Sequence, residues 1–222
     1  MFFEEHAKLL SDFARVSQAA GARADYVQGG GGNTSVKLPG GLMAIKASGF
    51  CLSDIHPDKA YAVLDGADLR NFYLTTDPSA LADVEKEGSA RAKADVRHID
   101  DLADLRPSVE AGFHSILKTF VVHTHSVYAN LAACSTACRP IAAQAFAGAN
   151  YTWGWVPYTD PGANLTFAIR DELRRVEKET GKVPSVILMQ NHGIIVHDDD
   201  PDTALAIHTD ANERLARMFG LT

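Results

Sequence analysis

Short apolar stretches alternate with longer amphipathic segments along the chain, and this pattern predicts a mixed α/β protein. Short apolar runs are typical of strands, whereas apolar residues spaced at the helical period are typical of helices. The predicted strands are 36–38, 42–46, 60–64, 72–74, the run that ends near 125, a short strand within 148–162, 186–190 and 194–197. The predicted helices are 2–20, 107–117, 128–134, 171–180 and a last helix that begins at Pro201.

Capping and turn residues mark several of these ends. Ser126 and Asp200 are placed to cap helix N-termini, Gly181 to end a helix, and Pro140 to stop one. The stretch 83–104 differs from the rest because it is dense in charge and poor in apolar residues. Such a composition is typical of a solvated excursion or a mobile loop.

The 222 residues fit one large domain or two small ones. A formal net charge of -7 without a basic cluster argues against nucleic acid as a partner. No run approaches the roughly 18 apolar residues of a membrane span, and the first residues do not resemble a signal peptide. We therefore expect a cytoplasmic protein without a membrane partner. The three cysteines are too few and wrongly spaced for a disulfide framework or a cysteine-based zinc site.

Two histidines, His123 and His125, stand at the end of an apolar run. Successive side chains of a strand point to opposite faces, so these two imidazoles lie on the same face. Two ligands do not complete a tetrahedral site, so a third is needed. His192 is the candidate, since it lies at a turn between two apolar runs. Each histidine alone is better explained as a hydrogen-bonded core or turn residue, whereas the three together favour a metal site.

Four consecutive glycines, 29–32, are followed by Asn33, Thr34 and Ser35 and then by an apolar run. Glycine lets the main chain approach an anion closely, and the polar side chains add neutral donors. The stretch is neither a Walker A loop nor a dinucleotide fingerprint. We interpret it as a phosphate-binding loop, with a flexible linker as the alternative.

Glu110 lies in the predicted helix 107–117, four residues before His114 and next to the apolar face. Partial desolvation at such a position raises the pKa of a carboxyl group toward a value useful for a general base. A solvent-facing glutamate is the alternative. The base is favoured because the helix leads directly into the strand with the two histidines.

Five short motifs follow one another along the chain: Gly32-Asn33-Thr34-Ser35, Ser48-Gly49, Ser108-Val109-Glu110, His123-Thr124-His125 and Asn191-His192-Gly193. Each alone is weak, but together and in this order they resemble the class II aldolase/adducin family of zinc-dependent sugar-phosphate aldolases and related epimerases. The resemblance implies one domain over residues 1–222, a three-layer α/β/α sandwich with a central, largely antiparallel mixed sheet. It also implies a cyclic homotetramer with active sites near subunit interfaces. The long separation of Ser48 from Ser108 makes 83–104 an expected insertion.

The same resemblance implies roles for individual residues. His123, His125 and His192 would hold one zinc ion per subunit, with Mn²⁺ or Co²⁺ as alternatives because geometry alone does not select the metal. Glu110 would act as the catalytic base. The implied phosphate-binding residues are Gly32, Asn33, Thr34, Ser48, Gly49 and Ser108.

Two features depart from the family pattern. Fuculose-phosphate aldolases tend to have two serines before the glutamate, where this chain has Ser108 and Val109, so one phosphate donor is missing. Family aldolases also use a tyrosine as proton donor. No position matches it, and Tyr128 and Tyr151 are candidates by residue type only.

The implied activity is reversible cleavage of a ketose 1-phosphate to dihydroxyacetone phosphate and an aldehyde through a zinc-stabilised enediolate. The alternative is another reaction on the same scaffold, by a sugar-phosphate epimerase, a dehydratase or a decarboxylase. A decarboxylase would need basic groups for a carboxylate, and Lys46 and Arg106 are candidates. A non-catalytic, adducin-like interaction module is the third hypothesis, and the presence of the three histidines and Glu110 argues against it.

Overall fold

The short apolar runs form one central sheet in a computed structural model of the chain, which describes residues 1–221. The strands of these residues are β1 (Asn33–Lys37), β2 (Leu42–Lys46), β3 (Tyr61–Asp65), β4 (Val96–Arg97), β5 (Phe120–Thr124), β6 (Trp153–Val156), β7 (Val186–Met189) and β8 (Gly193–Asp198). The helices are α1 (Phe2–Glu5), α2 (Ala7–Gly21), α3 (Gly66–Thr75), α4 (Val84–Ala94), α5 (Ala111–Ile116), α6 (Val127–Ala133), α7 (Cys138–Ala145), α8 (Ala163–Thr180) and α9 (Pro201–Met218).

The strands lie in the order β4-β3-β2-β1-β5-β8-β7-β6. Neighbouring strands are antiparallel except for β6 and β7, which are parallel. Helices α2, α6, α7 and α9 cover one face, and α3, α4, α5 and α8 cover the other. The predicted three-layer α/β/α sandwich with a largely antiparallel mixed sheet is therefore confirmed. No helix within residues 1–221 is both long and apolar enough to cross a bilayer.

Both faces of the sheet are buried, so strand residues of either parity are apolar. Val121 packs in the cluster with α3, α5 and α8, whereas Val122 packs in the cluster with α2 and α9. This explains why β5 appears as a continuous apolar run in the sequence and not as an alternating one.

Most predicted helix ends are found in the structure. Ser126 caps α6 by accepting from the amide of Ala129, and Asp200 caps α9 by accepting from that of Thr203. Gly181 ends α8 in the left-handed region with φ 73°. The predicted helix 2–20 is interrupted at His6, which separates α1 from α2.

Two predictions about local structure are wrong. The stretch 72–74 is not a strand but part of α3, because Leu69 and Tyr73, one helical turn apart, are both buried against the sheet. Pro140 does not stop a helix but lies in the first turn of α7. Proline is tolerated there because the amides of a first helical turn have no partner within the helix.

The charged stretch 83–104 is not a mobile loop, since it forms α4 and the edge strand β4. The Glu85 carboxylate accepts from the amides of Ala163 and Asn164, at 2.9 and 2.8 Å, and so holds the N-terminus of α8. Gly88 lies so close to Ala163 that a side chain would not fit between them. Polar contacts therefore position a helix that has little apolar surface. That the segment is an insertion remains a prediction.

The order of the central strands brings the candidate residues together. β1 and β5 are antiparallel neighbours, and the first residue of β1, Asn33, is paired with His123 near the end of β5. β8 begins beside that end, so the turn that carries His192 lies next to it. We call this end of the three strands the histidine end.

Candidate metal centre

Three imidazoles meet at the histidine end. His123 lies in β5, His125 one residue beyond Thr124, and His192 in the turn between β7 and β8. One candidate ligand atom from each ring lies within 4.8 Å of the others, and the Nε2 atoms of His123 and His125 are 3.1 Å apart. Two nitrogen ligands at ~2.05 Å from a tetrahedral ion are separated by ~3.3 Å. The spacing therefore suits two ligands of one ion.

The local backbone fixes the position of His192. The left-handed residue of the turn is Asn191, with φ 54°. Gly193 has a different role, because any side chain there would collide with the main-chain oxygen of Thr124. The close approach of the turn to β5 keeps the three rings together.

The His123 ring has a defined tautomer and charge. Its Nδ1 lies 3.0 Å from the carbonyl oxygen of Ile194, so Nδ1–H donates and Nε2 keeps its lone pair. Burial lowers the pKa of His123 to about 3, although the facing Glu110 opposes the shift. Burial also lowers the pKa of His125. Both rings are therefore neutral near pH 7, which is the form that binds a metal.

One buried imidazole nitrogen at this point lacks a partner. His192 Nδ1 has no hydrogen-bond partner among residues 1–221, whereas Nε2 of the same ring faces Glu110 Oε1. Buried polar atoms are nearly always satisfied, so the unpaired nitrogen requires an explanation. Neutral imidazole nitrogens and a carboxylate oxygen are ligands of divalent transition metals, and the residues fit such an ion.

Glu110 stands against the histidines but not inside a helix. The helix begins at Ala111 and not at Pro107, so Glu110 is the residue that precedes its first turn. Its Oε1 lies 3.1 Å from His192 Nε2, and its Oε2 lies 3.5 Å from His123 Nε2.

The predicted rise in the pKa of Glu110 is wrong. Burial alone would raise it, but His123, His192 and the amide of Asn33 outweigh burial and hold the pKa below its ordinary value. The sequence pattern revealed the burial, whereas the opposing groups come from distant parts of the chain. Glu110 is therefore an ionised carboxylate near pH 7.

A buried histidine that the sequence analysis did not place in the site orients its neighbours. His114 Nδ1 lies 2.7 Å from Ser35 Oγ, and its Nε2 hydrogen-bonds Asn33 Oδ1. This leaves Asn33 Nδ2 to donate to Glu110 Oε2 at 2.6 Å and to Ser108 Oγ at 3.0 Å. The spacing of His114 four residues after Glu110 was the available signal for this role.

The predicted phosphate-binding residues are only partly brought together. Gly32 has φ 69°, and an added Cβ would lie 2.6 Å from the main-chain oxygen of His123, so the glycine loop touches β5. Asn33 and Ser108 are hydrogen-bonded to each other. Ser48 donates to the carbonyl of Pro107 at 3.1 Å, which holds its loop beside Ser108, and Gly49 lies exposed in the same loop.

The hydroxyl of Thr34 does not reach this group. It lies 2.6 Å from Ser17 Oγ of α2, buried on the opposite face of the sheet. Adjacent strand residues face opposite ways, so Asn33 and Ser35 point toward α5 while Thr34 points away from it.

Lys46 joins the two loops. Its ammonium donates to the carbonyls of Gly30 and Phe50, at 3.3 and 2.7 Å, and the side chain is buried. Burial lowers its pKa, and Cys51 and Glu110 oppose that shift. The position of Lys46 at the end of β2, two residues before Ser48, was the signal that could have placed it here. Arg106, the other basic candidate, is exposed.

The two tyrosine candidates use their hydroxyl groups elsewhere. Tyr128 donates to Asp25 at 2.9 Å, and Tyr151 donates to Asp210 at 2.8 Å. A cleft of about 460 Å³ adjoins His125 and is lined in part by Gln28 and Asn130.

A mainly antiparallel sheet between helices, with three imidazoles and a carboxylate at one end, defines a class of α/β protein built around a candidate divalent-metal site. Residues 11–219 match the family described as "Class II Aldolase and Adducin N-terminal domain", and the chain belongs to this family. The resemblance inferred from the five motifs is thereby confirmed.

Solved structures share the fold. The N-terminal class II aldolase domain of a conserved protein from Thermoplasma acidophilum is 20% identical, with a TM-score of 0.76 over 95% of this chain and 93% of that one. YgbL of Klebsiella pneumoniae, described as a candidate aldolase/epimerase/decarboxylase, is 18% identical, with a TM-score of 0.65 over 97% and 90%. The L-fuculose-1-phosphate aldolase of Thermus thermophilus is 15% identical, with a TM-score of 0.57 over 96% and 94%. The comparison with curated proteins gave no match.

Proposed function

We propose that the chain is a metal-dependent aldolase that reversibly cleaves a ketose 1-phosphate to dihydroxyacetone phosphate and an aldehyde. The observation that carries the proposal is the convergence of His123, His125 and His192 on one point with Glu110 against them. Family membership supports it, and so does the likeness in fold to an L-fuculose-1-phosphate aldolase.

The three histidines would hold the ion, one per subunit, with zinc proposed and Mn²⁺ or Co²⁺ as alternatives. When bound, a divalent cation with three neutral ligands keeps its full charge and stabilises negative charge that develops on substrate oxygen, a contribution of several kcal/mol. His123 is prepared for this role because its Nδ1–H is already bonded to Ile194 and its ring cannot turn freely.

Glu110 would move the proton at the carbon of dihydroxyacetone phosphate. Its pKa is held low, so the carboxylate is in the basic form near pH 7, and the hydrogen bond from Asn33 fixes Oε2. Such a positioned base contributes roughly 10²–10⁴-fold to the rate.

The anionic end of the substrate would lie between the glycine loop and the loop after β2. Gly32, Asn33, Ser48, Gly49 and Ser108 would supply main-chain and neutral side-chain donors, as the family resemblance implies. Thr34 could contribute only its main chain. Lys46 would add a positive charge, since two main-chain carbonyls engage two of its three N–H groups.

A decarboxylase is the second candidate, because a buried ammonium between the loops suits a carboxylate as well as a phosphate. The description of YgbL names decarboxylase and epimerase beside aldolase, and this supports the decarboxylase as a candidate. A panel of sugar phosphates and their carboxylated or unphosphorylated analogues, tested on metal-loaded protein, distinguishes the two. Turnover restricted to phosphorylated substrates supports the aldolase, and equal turnover of phosphorylated and unphosphorylated forms contradicts the phosphate site.

Assembly as a cyclic homotetramer with sites near subunit interfaces, and a cytoplasmic location, belong to the same proposal. The apolar side chains of Val109, Val127 and Leu131 are 69%, 42% and 41% exposed and lie close in sequence to Glu110 or His125. Burial of this surface between subunits would remove apolar area from water.

Glu110→Gln tests the base. The variant should retain about one metal ion per chain and lose proton exchange on dihydroxyacetone phosphate by roughly 10²–10⁴-fold. Glu5→Gln, at an exposed position of α1, is the control and should leave exchange unchanged. Unchanged exchange in Glu110→Gln would remove Glu110 from the base role. Wild-type protein without any metal after zinc reconstitution at neutral pH would overturn the whole proposal.

A further inference from the structure

A groove of about 600 Å³ opens at the other end of the central strands, away from the histidines. It is bounded by Lys37 at the end of β1, Lys118 before β5, and His197 and Asp199 at the end of β8. We call this the groove end. Its volume is in the range of small-molecule sites, about 300–1,000 Å³.

Five cationic side chains line the groove of a protein whose net charge is -7: Lys37, Arg70, Lys118, Arg170 and Arg174. Two of them are neutralised by ion pairs of 2.9 Å, Lys118 with Asp198 and Arg170 with Asp171. Two acidic side chains, Glu177 and Asp199, also line the groove.

The other three cations, Lys37, Arg70 and Arg174, have no carboxylate within 4.0 Å in the part of the chain that the structure describes. They contact main-chain carbonyls instead. Lys37 donates to His114 and Lys118, Arg70 to Ser115 at 3.2 Å, and Arg174 to Leu74 at 2.9 Å.

These contacts leave most of the donors unused. A lysine has three N–H groups and an arginine has five. Lys37 uses two of its three, and Arg70 and Arg174 use one each. The carbonyl contacts stabilise the C-terminal ends of α5 and α3, but they do not neutralise the charges.

Of the three cations, Lys37 is the one whose charged form is least favourable. Burial, together with the like charge of Arg70, lowers the pKa of Lys37 to about 7, and Asp199 opposes this only in part. A desolvated ammonium without a carboxylate is costly, and an anion beside it removes that cost.

We propose that the groove binds a small organic anion through its phosphate or carboxylate oxygens, which lie between Lys37, Arg70 and Arg174. Arginine provides paired N–H groups that match both kinds of oxyanion. Apolar side chains that line the same groove, among them Leu42, Leu74 and Leu173, contact the carbon skeleton of the ligand. The site is separate from the proposed active site and does not rest on the proposed function.

The experiment is a titration of the zinc-loaded protein followed by ¹H–¹⁵N NMR. Inorganic phosphate and succinate form separate arms, at constant ionic strength maintained with chloride. The amides of Leu42 and Thr119 report on the groove, and those of Gly32 and Gly49 report on the proposed active site. A failure of one site is thereby distinguished from a failure of the other.

We expect saturable shifts at Leu42 and Thr119 with at least one of the two anions, and the arm that saturates identifies the oxyanion. Arg70→Gln and Arg174→Gln should each weaken binding about tenfold, as expected for a lost charge-assisted contact. Both arginines are exposed, so the variants fold, whereas Lys37→Met would also leave carbonyls unsatisfied. Arg139→Gln, an exposed arginine outside the groove, should bind as the wild type does. Non-saturating shifts in both arms, or wild-type affinity in the two groove variants, would overturn the proposal.

Discussion

The two ends of the same central strands have opposite chemistry. At the histidine end, three imidazoles lie around an ionised carboxylate, and at the groove end, three of five cations lie without a carboxylate partner. Asn33 and Lys37, at the two ends of β1, are four residues apart, which is ~13 Å along a strand. One short strand thus takes part in a candidate cation site and a candidate anion site.

The side-chain atoms at the two ends differ more clearly than the charges do. At the histidine end they are imidazole nitrogens and carboxylate oxygens, which can coordinate a cation. At the groove end they include N–H donors of Lys37, Arg70 and Arg174, which can bind an anion.

One residue touches both ends. The ring of His114 hydrogen-bonds Asn33 at the histidine end, while its main-chain carbonyl accepts from Lys37 at the groove end. Helix α5 therefore holds the two regions at a fixed distance, and each prediction below asks whether they respond separately.

The largest effect is expected for His123→Ala, which removes the ligand with the best-defined tautomer. Loss of a partner outside the ligand set already costs about 10–100-fold in metal affinity, so loss of a ligand should exceed about 100-fold. Metal content and a competition titration with a chelator measure it. His98→Ala, an exposed histidine on the charged segment, is the control. Groove amides should still respond to anion in His123→Ala, and loss of that response would show that the two ends are one unit.

The histidine end could be predicted from the sequence because its residues occur in short motifs with local spacing. His123 and His125 share a face by strand geometry alone, and His192 is placed by the turn between two apolar runs. The groove end has no such signal, since its cations come from separate parts of the chain and only the topology brings them together.

The errors have a common physical origin. Asn33, Thr34 and Ser35 were treated as one polar loop, but they lie within β1, where alternation sends Thr34 to the opposite face. For Glu110, the sequence indicated burial and not the partners that reverse its effect on the pKa. The segment 83–104 was interpreted as a solvated excursion or a mobile loop because apolar residues are few, yet Glu85 anchors it through hydrogen bonds.

A second, smaller effect concerns pH and involves one buried histidine near each end. Burial lowers the pKa of His197 to about 3, with Lys37 and Lys118 adding to the shift, and that of His208 to about 4, with Arg23 adding to it. Both pKa values lie below the unfolded value of ~6.5, so below that pH the unfolded chain takes up the protons first. Each histidine should lower the free energy of unfolding by about 2 kcal/mol between pH 7 and pH 5.

Urea unfolding of metal-free protein across this pH range measures the slope of the free energy of unfolding against pH. His197→Gln and His208→Gln should each flatten it by about 1.4 kcal/mol per pH unit below pH 6, whatever they do to stability at pH 7. If both substitutions flatten the pH dependence equally, neutral and buried imidazoles occur near both ends of the strands. Only the convergence of several imidazoles on one point would then be specific to the histidine end. A slope unchanged in both variants contradicts the assigned charge states.

The smallest effect distinguishes close packing from backbone conformation at the histidine end. Gly32 and Gly40 both have positive φ, 69° and 76°, but a Cβ at Gly32 would lie 2.6 Å from the oxygen of His123, whereas at Gly40 it would meet nothing within 4 Å. Gly40→Ala should cost only the left-handed conformation, about 1–2 kcal/mol of unfolding free energy. Gly32→Ala should cost about 1–2 kcal/mol more, because β5 must shift, and that shift should also weaken metal binding. Urea unfolding of metal-free protein measures the loss of unfolding free energy in each variant. Equal losses would show that the close contact of the glycine loop with β5 does not stabilise the histidine end.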